Sequence, residues 1–454
     1  MNYLHKFQDN MKKAKLNEVV IDSFSHYYKK ILAGATGKLS ESEISPPSNK
    51  NVISHQQLRP GNNAYLSELA VIKLNGGLGT SMGLKKAKSL IKVKNGLNFL
   101  DIIAKQILHL RQRSGYQIPL LFMNSFNTRE DSLNHLKKYA DLKTSGLPLD
   151  FLQNKFPKIK QADLSPLEED DNSLNWNPPG HGEIYLVLKN TGMLEKLLHK
   201  GYKYAFISNS DNLGAVVDNS ILSYMKSNNI PFVMEVCKRT PMDKKGGHLA
   251  ETKDGNLVLR EVAQCPENEL DKFQNIKRYK YFNTNNIWID LEILKQKLSE
   301  NRNRLDLTLI LNSKEVNGIP VFQVETAMGA AISIFENAKA VIISRNRFVP
   351  VKKTNDLLTL LSDAYNLSEN FELKLTNSLH NSPNISLDPT FYKTIDQFYE
   401  HFLEIPSLKK CIELIVEGEV FFKENVSITG KVQINSKKSS EIKNINLENN
   451  SFVL

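Results

Sequence analysis

The 454-residue sequence predicts an α/β protein built on a doubly wound, mainly parallel sheet, with a helical segment before it and a parallel β-helix after it. Three observations predict this. Between about Leu66 and Leu367, short apolar runs alternate with helical patterns. Clusters of Gly, Asn, Asp and Lys follow several of those runs, where the ligand loops of such sheets fall. Beyond residue 371 the alternation stops and valines recur every six residues.

The elements follow in chain order. Residues 1–40 read as amphipathic helix, most clearly in "NEVVIDSFSHYYKKILAG". "SESEISPPSNKNVIS" is polar and proline-containing and reads as a linker, so residues 1–65 form an N-terminal segment. Residues 66–370 form the central domain. Its strand candidates are "LAVIKL", "IPLLFM", "YAFIS", "PFVMEV" and "KAVIIS", with helical patterns such as "IYLVLKNTGMLEKLLHK" and "DNSILSYMKSNN" between them. In the tail, residues 371–454, Val420, Val426 and Val432 are spaced by six and Gly418 and Gly430 by twelve. That period is the pattern of a parallel β-helix coil, with a plain β-meander as the competing reading.

Composition narrows the function. Apolar residues make up 41% and charged residues 24%, ordinary for a globular protein. The charge, 59 − 49 = +10, is a modest basic bias that would suit small anions or nucleic acid, with an ordinary solvated surface the better reading than nucleic acid. Three cysteines without CxxC spacing favour a reducing compartment. No signal-peptide core and no apolar run of about 18 residues is present, so the expected location is cytoplasmic, with no membrane partner.

"LNGGLGTSMGLKKAKS", Leu74–Ser89, follows a strand candidate and places Lys85, Lys86 and Lys88 behind four glycines. Such a turn can bring backbone N–H groups against phosphate. It is not a P-loop, because Met82 and Ala87 stand where GxxxxGK[ST] needs glycines. It is not a dinucleotide fingerprint either, because Gly77, Gly79 and Gly83 are spaced GxGxxxG.

Further polar motifs follow: "FMNSFNT", "FLQNKFPKI", "WNPPGHGEIY", "SNSDNLG", "KKGGHL", "FNTNNIW", "VETAMGAA" and "RFVPVKKTNDLL". Together with the glycine loop, and in this order, they closely resemble the eukaryotic-type UTP–glucose-1-phosphate uridylyltransferase (UDP-glucose pyrophosphorylase) family. The resemblance is strong over about residues 60–370 and weaker in the tail. It implies a Rossmann-like, GT-A-like nucleotidyltransferase fold with a left-handed C-terminal β-helix, and homo-oligomers through that domain in some members. It also implies that glucose 1-phosphate attacks the α-phosphorus of UTP, Mg2+ assists, and pyrophosphate leaves. The nucleophile is already anionic, so positioning and positive charge should dominate over acid–base catalysis. Alternatives are a broader UDP-sugar pyrophosphorylase and a non-catalytic nucleotide-sugar-binding scaffold.

The resemblance assigns roles by residue. Lys88 and Lys352 are catalytic and touch the UTP phosphates. Leu74, Asn75, Gly76, Gly77, Met123, Pro179 and Gly180 would line the uridine. Gln153 carries an amide that can read a uracil edge. Asn209, Ser210 and Asp211 would approach the triphosphate, Asp211 as the Mg2+ ligand. His181 would meet the sugar phosphate. Gly247, Phe282, Asn283, Asn285, Asn286 and Glu325 would surround the glucose. On an extended strand Asn283 and Asn285 would share one side and Asn286 the other. The family usually has Gly-Pro before its Lys-Ser; here Lys86-Ala87 stands there. Lys85 and Lys86 read as surface charge, and Lys245 is a weaker candidate.

Overall fold

The computed structural model of the chain describes residues 2–376, 378–379 and 381–454. Two helices open it, α1 (Leu4–Lys13) and α2 (Glu18–Leu32). The Asn17 side chain accepts from Val19 N and caps α2, a contact worth about 1 kcal/mol. Val20, Phe24, Tyr27, Tyr28 and Ile31 repeat at helical spacing on its buried face. That face packs with Phe7 and Met11 of α1 onto Phe156, Ile159, Leu186 and Val324.

The central sheet is mixed. Its main strands are β1 (Val52–Ser54), β2 (Leu69–Asn75), β3 (Leu120–Asn124), β4 (Asp150–Leu152), β5 (Tyr204–Asn209), β6 (Phe232–Lys238), β7 (Tyr281–Asp290) and β8 (Lys339–Ile342). Their order is β1-β8-β6-β7-β5-β2-β3-β4. Seven run parallel, and β7 runs against both of its neighbours. Ala70, Ile72 and Leu74 face one apolar cluster while Leu69 and Val71 face another, so β2 is covered on both sides.

Two local expectations are corrected. The stretch read as a linker supplies strands: Ile44–Ser45 pairs with His248–Thr252, and β1 adds an edge beside β8. Such edge strands need few residues and one apolar contact each, so a polar, proline-rich context hides them. The long helical pattern after "PPGHG" is two helices, Ile184–Asn190 and Met193–His199. Gly192, at φ +68°, breaks it.

In the tail, Asn384–Leu387, Ser407–Glu417, Val426–Asn435 and Ile445–Glu448 stack in parallel, as the six-residue period predicts. Val420, Val426 and Val432 are buried. Gly418 and Gly430 turn at positive φ, and a Cβ there would strike Ser436 O and Asn449 Oδ1 of the next coil. One apolar cluster runs from β2 and α3 (Phe99–Ser114) through to Val432 and Leu447, so the tail and the sheet share a core.

Candidate active site

The carboxyl ends of the parallel strands share one edge of the sheet. Because β7 runs the other way, its first residues, Phe282–Asn286, reach that same edge. Strand direction therefore brings "FNTNNIW" to the glycine loop.

On the β3–β4 side, Gly76, Gln153 and Gly180 meet. Gln153 is buried, and its Nε2 donates to Gly180 O at 3.0 Å. A Cβ on Gly76 would lie 2.9 Å from Gln153 Oε1, whereas one on Gly77 would meet nothing within 4 Å. Packing thus explains Gly76, and Gly77 borders open space. Gly180 (φ +80°) fits against Thr326 N and O, and Thr326 N donates to Pro179 O. The Glu183 carboxylate accepts from Asn154 N and Nδ2, tying this loop to the segment carrying Gln153; burial raises its pKa to about 8.

Below these groups sit residues expected to touch nucleotide that face protein instead. Leu74 is buried in the sheet, and its carbonyl accepts from Ser210 N. Asn75 is 2% exposed; its Nδ2 donates to Asn124 Oδ1 and Ser132 Oγ, and its Oδ1 accepts from Ser210 Oγ. Asn75 and Ser210 therefore join the ends of β2, β3 and β5. Met123 is also buried in the sheet core.

The charged centre lies at β5. Lys88 Nζ is 2.6 Å from Asp211 Oδ2. Asp211 Oδ1 is buried without a hydrogen-bond partner. Val351 N donates to Asp211 O, and Asn212 bridges to Pro350, which brings Lys352 alongside. The Asp356 carboxylate accepts from Lys352 N and Lys353 N and fixes that turn. Burial pushes Asp356 up, against the pull of those bonds, Lys352 and Lys88. Lys352 is exposed, and its charge also bears on His181 and Glu261. Asn209 lies half-buried at the strand end. Lys85, Lys86 and Lys245 are exposed.

Among the described residues no group of three His, Cys, Asp or Glu could hold a metal ion. A single carboxylate with one free buried oxygen does fit Mg2+, which fills its shell with phosphate oxygens and water.

His181 Nδ1 accepts from Met328 N at 2.8 Å. Burial, then Lys352, pushes its pKa down to about 4, so near neutral pH the ring is uncharged and Nε2 carries the proton. Unfolded histidine titrates near 6.5. Between about 4 and 6.5 the unfolded chain binds the extra proton, so stability falls as pH falls through this window. The buried His248, held near 3, adds to the slope. Denaturant unfolding of His181→Gln is expected to show a shallower loss from pH 6.5 to 4 than the parent; an equal slope rejects the neutral buried ring.

The sugar side departs from the expected set. Asn286 pairs with Glu235 and Asn283 with Val236, so Thr284 and Asn285 bulge out, with Asn285 at φ +55°. Asn283 and Asn285 still share a side and hydrogen-bond to each other. Asn286 is fully buried, and its Nδ2 donates to Glu235 Oε2, which also accepts from Arg347 Nε. Trp288 Nε1 and Arg347 Nη2 donate to Glu235 Oε1. Asn286 therefore belongs to a buried ion-pair network, not to a cleft. Glu325 stands opposite Ile310 on the neighbouring strand, and burial raises its pKa, opposed by Asn312 and Lys314 of that strand. The carboxylate beside Gly247 and Asn283 is instead Glu261, which sequence reasoning missed. A Cβ on Gly247 would lie 2.5 Å from Glu261 Oε1, and Asn283 N donates to Gly247 O, which sets Asn283 beside this carboxylate. Burial raises the Glu261 pKa, opposed by Lys352 and Asn283. Phe282 packs its ring over Gly246. "VETAMGAA" contributes backbone: Met328 N to His181, Thr326 to Gly180, and Gly329 beside Asn283.

Comparison with known proteins identifies the family and the fold. A family model described as UTP–glucose-1-phosphate uridylyltransferase matches residues 21–429. The UTP–glucose-1-phosphate uridylyltransferase of Musa acuminata is 38% identical, over 94% of this chain and 93% of that protein. The enzyme of the same name from Solanum tuberosum is 39% identical, over 94% and 91%. A crystal structure of a UDP-glucose pyrophosphorylase variant from Leishmania major in complex with UDP-glucose superposes with TM-score 0.94 at 38% identity, covering all of both chains. A UDP-glucose phosphorylase structure from Trypanosoma brucei gives TM-score 0.93 at 42% identity, covering 100% of this chain and 99% of that one. The chain belongs to the UTP–glucose-1-phosphate uridylyltransferase family.

Proposed function

We propose that the chain transfers the uridylyl group of UTP to glucose 1-phosphate, giving UDP-glucose and pyrophosphate, with Mg2+ as cofactor. The observation that carries this reading is the convergence of Lys88, Asp211 and Lys352 at one strand edge. A base-reading pair, Gln153 and Gly180, stands near Gly76, and a carboxylate–amide pair, Glu261 and Asn283, stands near Lys352.

Each group has one task. Gln153 holds its Nε2 against Gly180 O and leaves Oε1 on the Gly76 side to read a base. Lys88 steadies Asp211 and adds charge beside the phosphates. Bound Mg2+ would neutralise charge developing on the pyrophosphate, with Asp211 Oδ1 as the protein ligand. Neutral His181 donates Nε2–H to the sugar phosphate without needing a proton transfer. Lys352 meets the charge that builds on the transferring phosphoryl group. Glu261 and Asn283 accept from and donate to sugar hydroxyls.

Initial rates of pyrophosphate release across nucleoside triphosphates and sugar 1-phosphates test the reading. UTP with glucose 1-phosphate is expected to be the fastest pair, and no release at micromolar enzyme sinks it. For the sugar side, Glu261→Gln is expected to raise KM for glucose 1-phosphate about tenfold, the cost of roughly one charge-assisted hydrogen bond. KM for UTP should stay near that of the parent. Glu325→Gln should have the smaller effect on both, and a larger effect there would reverse the assignment.

A further inference from the structure

One residue before the glycine motif, Lys73 points to the face of β2 that carries Val71, toward Ile103 and Phe206. It is 2% exposed. Its Nζ donates to Ser208 Oγ and to Ala215 O, each at 2.7 Å. In the β2–β5 register Lys73 stands directly opposite Ser208. These two contacts mark the two ends of the Asn209–Gly214 turn that carries Asp211. The next carbonyl, Val216 O, accepts from Arg347, itself paired with Glu235.

Lys73 has no carboxylate within ion-pair distance among the described residues. Burial, then Arg347, lowers its pKa to about 7. A buried lysine without an ion-pair partner is costly whether it keeps its charge or gives up its proton, and an aliphatic side chain would pack the same space at lower cost. Fold stability therefore does not account for a lysine here. The contacts it makes are with a loop, and that loop carries the carboxylate that Lys88 meets.

We propose that Lys73 is a positioning residue: from the sheet it fixes both ends of the turn that presents Asp211 to Lys88 and the substrate phosphates. The inference rests on the role given to Asp211 above. A cavity of about 50 Å³ backs Lys73, bordered by Ile103, Gln106, Arg113, Phe206 and Glu372. It opens a route for chemical rescue.

The test is Lys73→Met. Its Tm is expected to equal or exceed that of the parent, while kcat falls at least about tenfold. Hydrogen exchange at the Ser210–Ala215 amides of the free protein should quicken, a readout independent of turnover. KM for glucose 1-phosphate should change by less than about threefold. A kcat within about threefold of the parent, or unchanged exchange at the turn, overturns the proposal. If Lys73→Met does not fold, Lys73→Ala decides: propylammonium entering the enlarged cavity should restore turnover, tetramethylammonium should not, and no restoration overturns the idea. Asp211→Asn is run alongside. If its Mg2+ titration matches the parent, the reading of Asp211 fails, whereas exchange at the turn still reports on Lys73.

Discussion

Lys352→Ala is expected to lower kcat by about 10²–10³-fold, equivalent to about 2.7–4 kcal/mol of transition-state stabilisation. The backbone of Lys352 is already fixed, because Asp356 accepts from its N–H and from that of Lys353. The side chain is exposed and forms no ion pair among the described residues, so its charge is uncommitted before substrate arrives. It nevertheless bears on both His181 and Glu261, which places it in the cleft. An uncommitted cation strengthens its contacts most when charge accumulates on the reacting phosphoryl group, so kcat should suffer more than either KM. Lys353→Ala, one residue on and also exposed, is the control and should stay within about threefold. Steady-state kinetics with both substrates varied decide the matter; a Lys352→Ala enzyme within about threefold of the parent removes Lys352 from the mechanism.

Asp211→Asn should be comparably severe, with a different signature. The amide keeps the shape but loses the charge that faces Lys88 at 2.6 Å and the free oxygen offered to a metal. The half-saturating Mg2+ concentration is expected to rise at least about tenfold and kcat to fall about 100-fold. The pair is partly exposed, at 13% and 21%, so its share of fold stability is at most about 1 kcal/mol and Tm should barely move. Binding of Mn2+ in the presence of UTP, followed by electron paramagnetic resonance, gives a readout separate from turnover. A parent-like titration rejects Asp211 as the ligand.

Much of this site was legible in the chain. Lys88, Gln153, Gly180, His181, Asp211 and Lys352 stand at the strand edge where a loop following an apolar run belongs. At other positions the structure turns the polar side chain toward protein. Asn75, Ser210 and Asn286 looked like ligand-facing groups, but each satisfies a buried neighbour. An amide or hydroxyl serves either purpose equally well, and only the packing around it decides. Glu261 was missed for the opposite reason. It is one ordinary glutamate after "LVLR", and nothing local marks it; the glycine at 247 makes room for it.

By itself, the sequence determined the patterns: continuous apolar runs for the strands, a period of three to four for the helices, six for the tail. It also determined the loops in which glycine, lysine and aspartate collect. These are local properties, set by how each backbone conformation exposes its side chains. Only the tertiary structure decided that β7 runs against its neighbours, that Thr284 and Asn285 bulge from it, and that Glu261 rather than Glu325 stands beside Asn283. It likewise decided that a polar, proline-rich stretch becomes an edge of the sheet. Strand direction and register are fixed by hydrogen bonds between residues far apart in the chain, and no local window of sequence contains both partners.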